Sequence, residues 1–278
     1  MMQHRFRQDP AATGTFGLAV LETIALSPGL DTLRRTLVLK GGAALLLVYG
    51  SGRATRTDLD FDVRTSDLLT EPMFLQLMAA MRGEWNAAYA VGQRPGKFEE
   101  FDDAINVGPI AFRNSRTGAS GSALLQVSRR KVPPYLSNFI TEPKLKGVGG
   151  REFTFPIMPL ELIAAEKVFR SISTKGPFLT DLYDIGYICD RPDLNHSNVD
   201  STFRSICDDE RQKLARDKNE AALKDLAETT RKAKTPSDLF RDDRVLDDHV
   251  KLDKAKARIA AGVRYVSKLA GIGRSVEH

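Results

Sequence analysis

The hexapeptide Asp58-Leu59-Asp60-Phe61-Asp62-Val63 alternates carboxylate and apolar side chains without a break. A period of two is that of an extended strand, so Leu59, Phe61 and Val63 are expected on a core face and the three aspartates on the other. Like charges so close repel one another. The strand is therefore either a solvated acidic edge or one side of a cation site. A divalent cation such as Mg²⁺ removes the penalty, because it takes one or two carboxylates and completes its shell with water and substrate phosphates.

The residues upstream favour the second reading. Gly41-Gly42 stands directly before the apolar run Ala43–Val48, which is composed of strong helix formers. Free backbone N–H groups and the start of a helix suit a phosphate. A glycine pair alone is more often a tight turn. Lys40, Arg53 and Arg56 lie close enough in the chain to neutralise a triphosphate, although surface charges usually have no such role. Phosphates and metal carboxylates are then expected at one place.

The chain has 278 residues and 42% hydrophobic content, enough for one large or two modest cores. The net charge of +5, from 41 basic and 36 acidic residues, is a mild basic excess that favours a polyanionic partner. Cys189 and Cys207 form no CxxC pair, and His4, His196, His249 and His278 are scattered, so ordinary thiols and no zinc site are expected. The segment Met1–Pro10 lacks the apolar core of a signal peptide, and no window reaches membrane-spanning length. A cytoplasmic protein is the expectation.

The remaining pattern predicts an α+β chain, with a helix-flanked sheet followed by a helical region. Gly14–Leu26 reads as an amphipathic helix, and Met73–Arg82 as another, opened by Thr70-Glu71-Pro72. Ala104–Phe112 and Ser122–Ser128 read as strands joined by the turn-rich Asn114–Gly121. From Arg129 to Arg151 six basic residues face one acid, Glu142, among prolines and glycines, which predicts a long exposed basic connection. Leu160–Ser173, Leu179–Cys189, a charged stretch Phe203–Lys234 and Leu252–Leu269 have helical composition. Domains at 1–155 and 156–278 are expected.

The order Lys40-Gly41-Gly42, apolar helix, Tyr49-Gly50, Arg53-x-Thr55, Asp58-x-Asp60 resembles the first motif of the AbiEii family of nucleotidyltransferase toxins, itself similar to polymerase-β-type nucleotidyltransferases. A second stretch, Pro159–Ile188, is similar to the family segment in which a helix carries a lysine and a later helix opens with Asp-x-x-Asp. The resemblance implies that Asp58 and Asp60 bind the metal, that Gly41 and Gly42 are the glycine signature, that Lys167 is the active-site lysine, and that Asp181 or Asp184 is the downstream catalytic aspartate. It implies a mixed sheet, a C-terminal helical bundle and a site in a cleft between them. Two departures stand out. The family pattern has a hydroxyl two residues before the first Asp, whereas Thr55 stands three before and Thr57 one before. The broader class takes a third carboxylate from a neighbouring strand, but Ala123–Arg130 offers only Gln126 and Ser128. Asp62, Asp181, Asp184 or Glu161 would then act as base, or metal and positioning suffice.

The resemblance further implies a toxin of a bacterial type IV toxin–antitoxin pair, an abortive-infection setting, and transfer of a nucleotide from NTP to RNA, with the tRNA acceptor end as expected target. Tyr135 and Phe139 within the basic connection would suit an RNA track, although a soluble loop has the same composition. Lys167 beside Glu166 is also what an ordinary exposed helix pair looks like, and Asp181 also suits a helix N-terminus. Transfer to a protein side chain, and non-catalytic GTP or NTP binding, are the competing functions.

Overall fold

The computed structural model of the chain describes residues 10–51, 58–65, 67–85, 87–93, 96–131, 137–211, 214–240 and 252–271. In chain order these hold α1 (Pro10–Leu26), α2 (Asp31–Thr36), β1 (Leu37–Lys40), α3 (Gly41–Leu47), β2 (Asp58–Val63), α4 (Glu71–Trp85), β3 (Tyr89–Val91), β4 (Lys97–Glu100), β5 (Ala104–Asn114), β6 (Ser120–Lys131), β7 (Lys144–Lys146) and β8 (Glu152–Thr154). Helices follow: α5 (Leu160–Ile172), α6 (Leu179–Cys189), α7 (His196–Asp209), α8 (Arg216–Lys232), α9 (Pro236–Leu239) and α10 (Leu252–Ala270). Two compact units form, one of residues 1–50 and 54–158, the other of 51–53 and 159–278.

The first unit is built on a mixed sheet in the order β1-β2-β6-β5-β3, with β4 also on β5. β2 runs antiparallel to β1 and parallel to β6; the other neighbours are antiparallel. The alternation of β2 is realised as expected. Leu59, Phe61 and Val63 are buried, and so are their row-mates Leu125, Val127, Ile105 and Val107. Burying each such side chain contributes about 1.5–3 kcal/mol.

Helix α1 departs from expectation. Instead of one apolar stripe, nearly its whole surface is buried from Phe16 to Ala25, because it packs on α2, α3, α4, β6 and β8. Phe16 stacks on Phe112 with centroids 4.0 Å apart, and Tyr89 meets Phe16 edge-on. A helix enclosed on so many sides must satisfy its polar groups internally. Trp85 Nε1 donates to Thr23 Oγ1 at 2.8 Å, and the fully buried Glu22 carboxylate accepts from Val148 N and from Arg151 Nε.

The basic connection is also more ordered than its composition predicts. β6 continues to Lys131, and β7 and β8 form a separate antiparallel pair. Arg129 pairs with Glu100; Arg151 pairs with Glu22 and Glu84 and lies over the Trp85 ring. Lys144 and Lys146 stay exposed while Leu145 between them is buried. After β8 the chain returns to the sheet: Leu39 N donates to Pro156 O, and Met158 N to Leu39 O. Phe155, Ile157 and Met158 are buried there.

The second unit is helical. α6 packs along α10, α5 along α7 and α6, and α10 also along α8. The α6–α10 crossing is unusually close. A Cβ on Gly186 would lie 1.9 Å from the carbonyl oxygen of Arg258, and one on Gly262 would lie 2.0 Å from that of Leu182. Backbone meets backbone there, so neither glycine has room for a side chain. The predicted charged helix from Phe203 to Lys234 is interrupted after Asp209. Leu214 bridges to Ser173, Ala215 N donates to Ile172 O, and Asn219 Nδ2 donates to Ser173 O at 2.6 Å, tying the break to the end of α5.

Gly186→Ala and Gly262→Ala each force the α6 and α10 backbones apart. Overpacking of this kind costs roughly 1–3 kcal/mol. Urea unfolding of either variant is expected to show a lowered midpoint, whereas Gly83→Ala, at an open position of α4, leaves it unchanged or raised.

Candidate active site

On the sheet of the first unit the aspartates of β2 are not equivalent. Asp58 and Asp60 are half-buried, and Asp62 is buried. Lys40, opposite Asp60 in the β1–β2 register, reaches diagonally to Asp62 and forms an ion pair with it. A long side chain spans such a diagonal readily. Lys40, expected at the triphosphate, is thus engaged by the sheet itself.

The residue after Lys40 explains the first glycine. Gly41 has φ +65°, which favours glycine, and a Cβ there would stand 2.8 Å from Asp60 Oδ2. The chain turns from β1 into α3 against the Asp60 carboxylate, and only a residue without a side chain permits that approach. Gly42 continues into the first turn of α3. Arg53, Thr55, Arg56 and Thr57 lie outside the described residues.

Across β6 the positions opposite Asp58, Asp60 and Asp62 are Leu124, Gln126 and Ser128. Gln126 in turn faces Asn106 on β5, and Asn106 faces Glu99 on β4. The row through Asp60 therefore reads Lys40, Asp60, Gln126, Asn106, Glu99.

The second unit holds the other cluster. Lys167 on α5 is buried, and its Nζ donates to Asp181 Oδ1 at 2.7 Å and lies 3.0 Å from Asp184 Oδ2, both on α6. Arg170, one turn further along α5, approaches Asp181 Oδ2 at 3.3 Å and lies over the Phe178 ring. Lys167 and Arg170 share a helical face, and so do Asp181 and Asp184, each pair three residues apart. Lys167 is no exposed partner of Glu166. Glu161 accepts from Asn195 N at the start of α7, and Tyr183 is fully buried with its hydroxyl against Arg258, so its ring belongs to the core.

The chain matches the model of the nucleotidyl transferase AbiEii toxins, type IV toxin–antitoxin system, over residues 25–257. It belongs to the AbiEii family. Membership places it among nucleotidyltransferase toxins of toxin–antitoxin systems. None of the curated proteins matches it in sequence. Two solved structures from Helicobacter pylori share the fold. JHP933 is 17% identical with a TM-score of 0.54, covering 97% of this chain and 98% of its own. A second, described as a candidate nucleotidyltransferase, is 16% identical with a TM-score of 0.54 over the whole of both chains. At this identity the likeness concerns the fold, a mixed sheet flanked by helices.

Nucleotidyltransferase chemistry of this family suggests a divalent metal and an NTP. Among the described residues no group of three or more His, Cys, Asp or Glu side chains could hold a metal ion unaided. Asp58 and Asp60, alternate on one strand and half-buried, nevertheless suit Mg²⁺, which commonly relies on two carboxylates with substrate and water. No helix among the described residues is long and apolar enough to cross a membrane.

A cavity of about 740 Å³ with no signature in the sequence lies in the helical unit, between α7 and α10, lined by His196, Asp200, Arg204, Cys207, Tyr265 and Lys268. His196 Nδ1 lies 3.2 Å from the Tyr265 hydroxyl, and burial pushes that hydroxyl well above the usual tyrosine range. None of the predicted site residues lines it.

Removing the Lys167 ammonium leaves two buried carboxylates short of a cation. Lys167→Met is expected to lower stability by about 3 kcal/mol, recovered in part by adding Asp184→Asn, as read from urea midpoints. Cys189 offers a pH test. Burial first, and the charge of Asp190 second, push its thiol up to about 12. Since the thiolate is the reactive form, iodoacetamide at pH 8 should alkylate Cys189 at least about 100-fold more slowly than free cysteine, with the rate climbing tenfold per pH unit until about pH 11.

Proposed function

We propose that this AbiEii-family chain is a Mg²⁺-dependent toxin that transfers a nucleotide from NTP to RNA, with the acceptor end of tRNA as target. The observation that carries the reading is the pair Asp58 and Asp60 on one strand face, with Gly41 closed against Asp60 at the mouth of α3. In this reading a hydroxyl of the acceptor attacks the α-phosphorus in line. The new P–O bond forms as the bond to the bridging oxygen breaks, the hydroxyl proton passes to solvent, and pyrophosphate leaves.

When bound, the cation supplies charge neutralisation on the phosphate oxygens and lowers the pKa of the attacking hydroxyl. Asp58 and Asp60 hold it. The backbone at Gly41 and Gly42 receives the triphosphate, supported by Arg53, Arg56, Thr55 and Thr57. Lys40 contributes through Asp62, whose charge it balances, more than through direct phosphate contact. Lys167 stabilises phosphate charge, and Asp181 and Asp184 orient its ammonium, consistent with the two distances to that nitrogen. The proposed setting is the cytoplasm, where NTP, tRNA and a cognate antitoxin meet.

The RNA contact is drawn more narrowly than composition suggests. Arg129 and Arg151 are already paired with acids, and Tyr135 lies outside the described residues. The exposed Lys144, Lys146 and Phe139 are the parts of the basic segment that support an RNA-facing role. Transfer to a protein side chain is the competing enzyme reading, and NTP binding without turnover the competing non-enzyme one.

Purified protein incubated with total tRNA, Mg²⁺ and each α-labelled NTP in turn should place label in a tRNA band with one nucleotide. Asp60→Ala should abolish it, as removal of a metal carboxylate at a phosphoryl-transfer site removes the chemistry, not merely affinity. Label confined to a protein band would establish the protein-modifying alternative, and label undiminished in Asp60→Ala would sink the assignment.

A further inference from the structure

We infer that Phe178 and Arg170 form a stacking platform for one unpaired base of the acceptor RNA, beside the Lys167 cluster. The inference rests on the RNA-transfer reading above and names two binding residues which that reading does not contain.

Phe178 stands at the start of α6, three residues before Asp181, and is 42% exposed. Single exposed rings are common on protein surfaces and by themselves indicate nothing. This ring has a cation on it: the guanidinium carbon of Arg170 lies 4.8 Å from its centroid, a cation–π arrangement. Phe101 and Phe139 are exposed to a similar degree, yet among the described residues neither has an arginine over its ring.

Arg170 also ties the ring to the buried charges. Its Nε lies 3.3 Å from Asp181 Oδ2 while half of its side chain stays in solvent, and Asp181 in turn accepts from Lys167. One guanidinium thus meets the cluster with its edge and the exposed ring with its face. The rest of its planar fork matches the geometry of a phosphate. A nucleotide can therefore find a surface for its base and a cation for its backbone on two residues that already touch.

The turn that presents the ring is fixed before any ligand arrives. Gly176 N donates to Ser173 O, which also accepts from Asn219 Nδ2 on α8, and Gly176 adopts φ +78°. Leu182 N donates to Phe178 O, so α6 begins there. Lys175, in the same turn, is exposed and adds a second cation near the ring in sequence. Aromatic faces for bases and cations for the backbone are the combination by which unpaired RNA is held. An NTP is the other source of a base. Its phosphates, in the reading above, are received at Gly41, Gly42 and the cation on β2, so a separate set of exposed cations beside Phe178 suits a polynucleotide backbone better.

The test is a double-mutant cycle on binding, run without NTP so that no transfer occurs. A fluorescein-labelled acceptor-stem hairpin with an unpaired 3′ end, intact or abasic at one unpaired position at a time, is titrated by anisotropy. The proteins are wild type, Phe178→Leu, Phe178→Tyr and Arg170→Gln. One abasic position should weaken wild-type binding about tenfold. Phe178→Leu should weaken the intact RNA by a similar factor and show no further loss at that position, whereas Phe178→Tyr keeps wild-type affinity. Arg170→Gln should lower the slope of log Kd against log salt by about 0.7, the share of one phosphate on a single strand. Wild-type protein that binds intact and abasic RNA equally, or fails to bind either, overturns the inference without any variant. Losses that add in Phe178→Leu overturn it too, as does weakened binding of an α,β-methylene NTP analogue by Phe178→Leu with RNA binding unchanged, which would assign the ring to the incoming nucleotide. The transfer reading fails separately, by absence of label in tRNA with the wild type; additive binding losses alongside intact label transfer remove the platform alone.

Discussion

The buried carboxylate of Asp62 has to meet a cation, and Lys40 on the neighbouring strand meets it. That ion pair crosses the β1–β2 ladder diagonally, so it holds only in the observed register: a slip by one residue would turn Lys40 to the opposite face. With the register held, Gly41 falls beside Asp60, and the chain must turn there into α3 with a positive φ. The position of Asp60 thus follows from the partner that Asp62 requires. A buried pair of this kind adds little net stability relative to apolar residues, but losing one member is costly. It is better understood as a device that fixes geometry.

The same logic governs the helical unit. Lys167, Asp181 and Asp184 are all buried, and each carboxylate lies within 3.0 Å or less of the one ammonium. Backbone contact of α6 with α10 at Gly186 and Gly262 holds α6, and with it both aspartates, in place. Rigid elements therefore carry both groups of charged residues, a strand for Asp58 and Asp60 and a pair of helices for Lys167, Asp181 and Asp184. Preorganised charge is what phosphoryl transfer asks of a protein, because the chemistry itself is largely positioning and charge stabilisation.

Burial separates side chains that look alike in sequence. Arg129 and Arg151 read as members of a basic track, yet the folded chain spends them on Glu100, Glu22 and Glu84, leaving Lys144 and Lys146 in solvent. Three aspartates two residues apart read as equivalents, yet one is sealed in an ion pair while two remain half-buried. Neither distinction can be made from charge alone, since it depends on which segments pack above each residue.

Elements with strong periodicity were legible in advance: the alternation of β2, the long β5–β6 hairpin and the helices α5, α6 and α10. The β1 strand was not, because Leu37–Lys40 is too short and too uniformly apolar to show a period, and β3 and β4 are equally brief. The sheathing of α1 has no signature in the sequence, because an apolar stripe and an all-round apolar surface differ only in what lies against the polar residues, here Glu22 and Thr23. Local sequence therefore determined which residues bear charge, which carboxylates alternate on one strand, and which family the two motifs resemble. Tertiary structure alone decided that Lys40 belongs to Asp62, that Gln126 is the neighbour of Asp60, and that Lys167 sits between two aspartates. Those are facts of register and helix packing, and they join residues whose separation along the chain carries no local signal of their contact.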